Sequence, residues 1–79
     1  MKHVINGIEF DVPSGKPIKT MPGSIMDCDI HDIGNGNAVA VCSINKGSTK
    51  EDGLNEHSFS EINNKCKDLD MNLVAIIFQ

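Results

Sequence analysis

The stretch that decides the fold runs from Ser24 to Asn45 and reads S-I-M-D-C-D-I-H-D-I-G-N-G-N-A-V-A-V-C-S-I-N. Two runs rich in apolar and β-branched residues flank the segment from Gly34 to Asn37. Its glycines and asparagines accept the positive φ angles that a tight hairpin turn requires. The pattern therefore predicts a β-hairpin, with one strand on each side of this turn.

The first of the two runs alternates between apolar and polar residues. Successive side chains of a strand point to opposite faces, so one face is predicted to be apolar and the other to carry two carboxylates and an imidazole. The apolar positions are Met26, Cys28 and Ile30, and the polar row is Asp27, Asp29 and His31. This row is the most conspicuous polar constellation in the chain.

A second hairpin is predicted from His3 to Val12, because Asn6-Gly7 between two β-rich runs favours a type I′ turn. Pro13 has no N–H to donate and is expected to end the strand. The alternation places three apolar side chains on one face and two acids on the other. The apolar positions are Ile8, Phe10 and Val12, and the acids are Glu9 and Asp11.

A helix is predicted from Ser58 to Asp70. Ser58 and Glu61 have the spacing of a capping box, and Asn72 is the expected C-cap. The apolar stripe that would face a sheet consists of Phe59, Ile62, Cys66 and Leu69. At about twelve residues the helix is marginal alone and needs to pack against a sheet.

The final run, Leu73 to Phe78, contains neither a charge nor an alternation, which predicts a strand buried on both faces and central in its sheet. Polar, glycine-containing connections are expected at Pro13–Gly23 and Lys46–His57. The predicted fold is α+β, formed by one domain over residues 1–79. It has a mostly antiparallel sheet of four or five strands, built from two hairpins and the C-terminal strand, with one helix on one face.

The composition excludes some partners. The chain has 79 residues, a net charge of −4 and seven basic residues, all of them lysine; arginine, tryptophan and tyrosine are absent. Proteins usually bind nucleic acids through bidentate hydrogen bonds from arginine and through stacking of bases on aromatic side chains, and negative charge repels the phosphate backbone. Direct binding to nucleic acid is therefore not expected. The sequence also contains no run long enough to span a membrane and no signal-peptide pattern, which predicts a cytoplasmic protein.

Three cysteines, Cys28, Cys42 and Cys66, are an odd number at wide spacing, and are predicted to be free and buried. Cys28 and Cys42 would approach each other only if the hairpin register allows it. A catalytic cysteine would need a histidine base and a third orienting group, which the pattern does not supply. No phosphate-binding glycine motif or serine elbow is present, so neither an enzyme nor a cofactor is predicted.

The leading hypothesis for function is a protein-binding domain that masks a basic surface on its partner, as a stand-alone inhibitor or adaptor. By analogy, the profile is similar to that of small acidic phage and mobile-element inhibitors of nucleic-acid enzymes, anti-CRISPR proteins among them. The predicted partner-binding residues are expected to share the sheet face that the helix leaves uncovered; they are Glu9, Asp11, Asp27, Asp29 and His31. One alternative is a divalent-metal or small-ligand module that uses Asp27, Asp29 and His31. Another is a structural subunit that forms a homodimer through its sheet.

Overall fold

The computed structural model of the protein describes residues 2–5, 7–11 and 15–79. It has an α+β fold with a two-stranded sheet, a four-stranded mixed sheet and one main helix, which confirms the predicted fold class. The elements are β1 (Lys2–Ile5), β2 (Ile8–Asp11), β3 (Lys19–Met21), β4 (Met26–Gly34), β5 (Asn37–Ile44), α1 (Lys50–Gly53), α2 (Glu56–Asp68) and β6 (Asn72–Phe78). No helix in this part of the chain is long and apolar enough to cross a membrane.

The predicted hairpin from Ser24 to Asn45 is confirmed as β4 and β5. Gly34 pairs with Asn37, which leaves a two-residue turn of Asn35 and Gly36. Both turn residues have positive φ angles, 57° and 75°, as a type I′ turn requires. The Asp32 carboxylate accepts a hydrogen bond from the Gly34 N–H at 2.7 Å and supports the strand end next to the turn.

The predicted N-terminal hairpin is also present, but it forms a sheet of its own. β1 and β2 pair only with each other, and Gly7 in their turn has a φ of +79°. The expectations for Asn6, Val12 and Pro13 fall outside the described residues. We call β1 and β2 the N-terminal hairpin, and the strands in the order β3-β4-β5-β6 the main sheet.

Different elements pack on the two faces of the main sheet. On one face, α2 contributes Ile62 and Cys66 to clusters with residues of β4 and β5. On the other face, Phe10 of the N-terminal hairpin packs with Val39 and Val41 of β5. The layers are therefore helix, main sheet and hairpin, with β5 buried between two covers.

The prediction that the C-terminal strand is central is wrong. β6 lies at the edge of the main sheet and pairs only with β5, in parallel. The α2 crossover from β5 produces this parallel neighbour, because parallel strands need a long connection across one face. β6 is apolar along its length because both of its faces are partly covered, not because it is central. Ile76 packs on the α2 side and Ile77 packs on the hairpin side.

The main helix begins at Glu56, two residues before the predicted start, and its N-cap lies three residues before the predicted one, so the predicted capping box at Ser58 and Glu61 is wrong. Asn55 is the N-cap: its side chain accepts from the Ser58 N–H at 3.0 Å, and the Ser58 hydroxyl oxygen accepts from the Asn55 N–H at 2.9 Å. Asparagine is one of the most favourable N-cap residues, and capping at Asn55 starts the helix earlier than capping at Ser58 would. The connection predicted at Lys46–His57 accordingly contains α1 and the start of α2.

The helix ends at Asp68 with Leu69 as its C-cap; the predicted C-cap, Asn72, belongs to β6. Asp70 adopts a left-handed φ of 60°, and the Met71 N–H donates to the Cys66 carbonyl at 2.8 Å. These features form a Schellman motif, in which the left-handed residue reverses the chain direction. Only three residues therefore separate the end of the helix from β6.

Only the middle of the predicted apolar stripe is core. Ile62 is 1% exposed, whereas Phe59 is 49% exposed. We expect Ile62→Ala to lower the free energy of unfolding by about 2–4 kcal/mol, because it leaves a cavity against the sheet. The matched Phe59→Ala change should cost less than about 1 kcal/mol. Urea unfolding monitored by circular dichroism measures both, and equal losses would contradict the observed helix orientation.

Candidate functional site

The acidic row on β4 lies on one face of the strand, but its members differ in exposure. Asp27 is exposed, Asp29 is half-buried and His31 is only 7% exposed. His31 lies opposite Val39, which packs against Phe10 of the N-terminal hairpin. The row therefore passes from a solvent-exposed position at Asp27 to a covered position at His31.

Glu9 and Asp11 do not share a surface with this row, so the expectation of one continuous acidic face is wrong. Both lie on β2, where Ile8 and Phe10 pack towards the main sheet and the two acids alternate onto the outer face. The Glu9 carboxylate also pairs with the Lys2 ammonium at 2.8 Å. The acids are separated because the hairpin stacks on the main sheet and does not extend it.

The Asp27, Asp29 and His31 side chains do not converge on a metal position. Within residues 2–5, 7–11 and 15–79, no group of three or more histidine, cysteine, aspartate or glutamate side chains has the arrangement that holds a metal ion. Asp27 instead accepts a hydrogen bond from the Gly23 N–H at 3.0 Å. Side chains two apart on a strand are separated by about 6.5–7 Å, so a second element would have to supply ligands.

A cavity that sequence reasoning missed lies between the β3–β4 connection and the beginning of α2. Its volume is about 280 Å³, and we call it the α2 cavity. The apolar lining comes from β3, β4, their connection and α2. These residues include Met21, Ile25, Met26 and Ile62. The lining combines parts of both predicted connections with the start of the predicted hairpin and of the predicted helix. These segments are distant in the sequence, which is why the sequence pattern did not reveal the cavity.

The polar lining of the α2 cavity comes mostly from the two helices and includes two acidic residues, Asp52 in α1 and Glu61 in α2. The other polar lining residues are Ser24, Asn55, His57 and Ser58. The Glu61 carboxylate lies 2.9 Å from Nε2 of His57, one turn earlier on α2, and both side chains are largely exposed. Carboxylates at the opening of an apolar cavity favour an amphipathic cation as the occupant.

A glycine lies where α1 approaches β4 and β5. A Cβ atom at Gly53 would lie 2.9 Å from the Met26 sulfur and 3.0 Å from Cδ1 of Ile44. Both atoms are at the ends of flexible side chains, so a larger residue at this position would require those two side chains to shift.

The three cysteines are buried and free. Burial raises the pKa of each thiol above its ordinary value of 9.0. The thiolate is the nucleophilic form, so these cysteines are poorly suited to nucleophilic catalysis at neutral pH.

Comparison of the chain with protein-family models, with curated proteins and with solved structures finds no match.

The raised thiol pKa values predict how stability depends on pH. The unfolded chain releases thiol protons near pH 9.0, while the native state retains them. This contribution to stability is therefore present below the unfolded pKa and is lost as the pH rises towards the folded pKa. We expect the urea concentration at which half of the reduced protein is unfolded to decrease as the pH is raised from about 8 to about 10.5. A Cys42→Ala variant should show a shallower fall, and identical slopes would contradict the assignment.

Proposed function

We propose that this chain is a protein-binding domain, an inhibitor or adaptor, that receives a lysine or arginine side chain of its partner in the α2 cavity. The single observation that supports the proposal is the combination, in one cavity, of an apolar lining with the carboxylates of Asp52 and Glu61. The proposal keeps the basic partner expected from the sequence and moves the point of contact from the polar residues of β2 and β4 to the α2 cavity.

The shape and chemistry of the cavity suit a long basic side chain. Lysine and arginine bury an aliphatic stem on apolar surface while their charged ends remain near water or a carboxylate. Met21 and Ile25 would contact the stem, and Asp52 would pair with the charged end. A volume of about 280 Å³ lies just below the usual range for small-molecule pockets, which favours a single side chain over a cofactor.

The charge around the cavity would also steer a basic partner. The segment 50–61, which includes α1 and the first half of α2, contains four carboxylates and one lysine. The whole chain carries a net charge of −4. Such a surface accelerates encounter with a positively charged protein and makes binding sensitive to salt.

The proposed occupant can be tested without knowing the partner. We expect N-acetyl-arginine amide, titrated into ¹⁵N-labelled protein, to shift the backbone amide signals of Gly23, Ile25 and Ser58, which line the cavity. The shifts should weaken as sodium chloride is raised, because salt screens the ion pair. The isosteric but uncharged probe N-acetyl-citrulline amide should produce much smaller shifts.

Charge reversal supplies the matched control. Asp52→Lys/Glu61→Lys should reduce arginine-amide binding at least tenfold, whereas Glu9→Lys/Asp11→Lys reverses as many charges on the hairpin and should leave binding within about twofold. Both variants should keep the native melting temperature within a few degrees, because exposed charges contribute little to folding. A larger effect from the Glu9 and Asp11 reversal, or from Asp27→Lys/Asp29→Lys, would place the site on the acids first expected from the sequence.

A second candidate function is self-association through β6. On its outer edge β6 pairs with no strand among residues 2–5, 7–11 and 15–79, and Asn72–Phe78 carries no charge. Long, apolar, uncharged edges are normally avoided in monomers because they invite another strand. A second copy would pair its own β6 antiparallel around a two-fold axis and extend the main sheet across both subunits.

Concentration-dependent hydrogen exchange tests this candidate on the unaltered protein. We expect the outward-facing amides of β6 to exchange more slowly as the protein concentration rises, while the amides of β3, at the opposite edge, do not change. Sedimentation equilibrium should show a species of twice 8.6 kDa over the same concentrations. A constant mass of one chain, with constant exchange in β6, would contradict the dimer.

A further inference from the structure

We infer that Cys28 and Cys42 form a dithiol site that is oxidised to an intramolecular disulfide across β4 and β5. The two residues are directly opposite in the antiparallel register, and their Sγ atoms are 2.7 Å apart. Both side chains are buried, at 4% and 0% exposure. This inference is independent of the proposed partner binding.

The backbone already has the separation that a disulfide needs. Opposite residues of antiparallel strands have Cα atoms about 4.5 or 5.5 Å apart, depending on the type of pair. Disulfide-bonded cysteines span Cα distances of about 4.4–6.8 Å, which includes both values. The bond therefore requires a small approach of the two sulfurs and no change of strand pairing.

Cys66 provides an internal comparison. It lies on α2, where it packs with Ile30 and Ala38, whereas Cys28 and Cys42 pack with Met26 and Ala40 in a separate cluster. Three cysteines allow three different pairs. The structure selects the pair between β4 and β5 and leaves Cys66 as the unpaired thiol.

The oxidation balances with a small-molecule disulfide, such as oxidised glutathione, as the oxidant. One cysteine thiolate attacks the small disulfide, forms a mixed disulfide and releases the first small thiol. The second cysteine thiolate then attacks the protein sulfur of that mixed disulfide and releases the second small thiol. Two protein thiols are oxidised, one small disulfide is reduced, and the two protons are taken up by the released thiolates.

The α2 cavity determines which sulfur reacts first. Cys28 lines the cavity, whereas Cys42 is completely buried on the neighbouring strand. Cys28 is therefore the attacking cysteine and Cys42 the resolving one. Burial raises the pKa of both thiols, so the first step is slow in the native state and the second is favoured by proximity.

The test uses the purified full chain, incubated with oxidised glutathione, acid-quenched and alkylated with N-ethylmaleimide. The reduced protein should gain three adducts, one for each cysteine, and the oxidised protein only one, at Cys66. Digestion before aspartate cuts at Asp29 and Asp32, between the paired cysteines, so the peptides that contain Cys28 and Cys42 remain linked only through their disulfide.

Single cysteine variants determine which of the three possible cysteine pairs forms the disulfide. Cys66→Ala should form the same cross-link, while Cys28→Ala and Cys42→Ala should form none. Disulfide formation should raise the melting temperature of both the native sequence and Cys66→Ala by on the order of 10 °C, because the cross-link restricts the unfolded chain. Linkage through Cys66, stable glutathione adducts in place of the cross-link, or three free thiols after prolonged oxidation would overturn the inference.

Discussion

The two-residue turn at Asn35 and Gly36, together with the irregular pairing next to it, is the constraint on which the rest of the structure depends. Both turn residues adopt positive φ in a type I′ turn, and the one-residue shift between Asp32 and Gly34 then sets the register along the rest of β4 and β5. A slip of one residue would move every side chain of a strand to the opposite face. In the observed register Cys28 lies opposite Cys42, with His31 on the other face of β4. The proposed disulfide and the distribution of charge both follow from this turn and the adjacent register shift.

The second determining feature is that both faces of β5 are covered. α2 packs on one face, and the N-terminal hairpin covers the other through Phe10. The hairpin takes the place that the acidic surface was expected to occupy, because its own apolar face needs cover and two strands alone are marginally stable. The acids of β2 and β4 therefore lie on two separate surfaces.

The α2 cavity arises where two connections meet. Gly23 and Ile25 belong to the turn between β3 and β4, whereas Asp52 and Glu61 come from helices that start some thirty residues later. The two helices supply Asp52 and Glu61, and β3, β4, their connection and α2 supply the apolar lining. The proposed recognition of a basic side chain and the proposed access of an oxidant to Cys28 both use this cavity.

The sequence by itself determined the local elements: the Asn35-Gly36 turn, the alternation along β4 and the presence of a helix around Ile62. These are governed by φ preferences and side-chain periodicity within a few residues. Only the tertiary structure decided that β6 lies at an edge, that His31 is covered and that the α2 cavity exists. Those properties depend on which element packs on which face, and an apolar run looks the same whether helix, hairpin or neighbouring strand covers it.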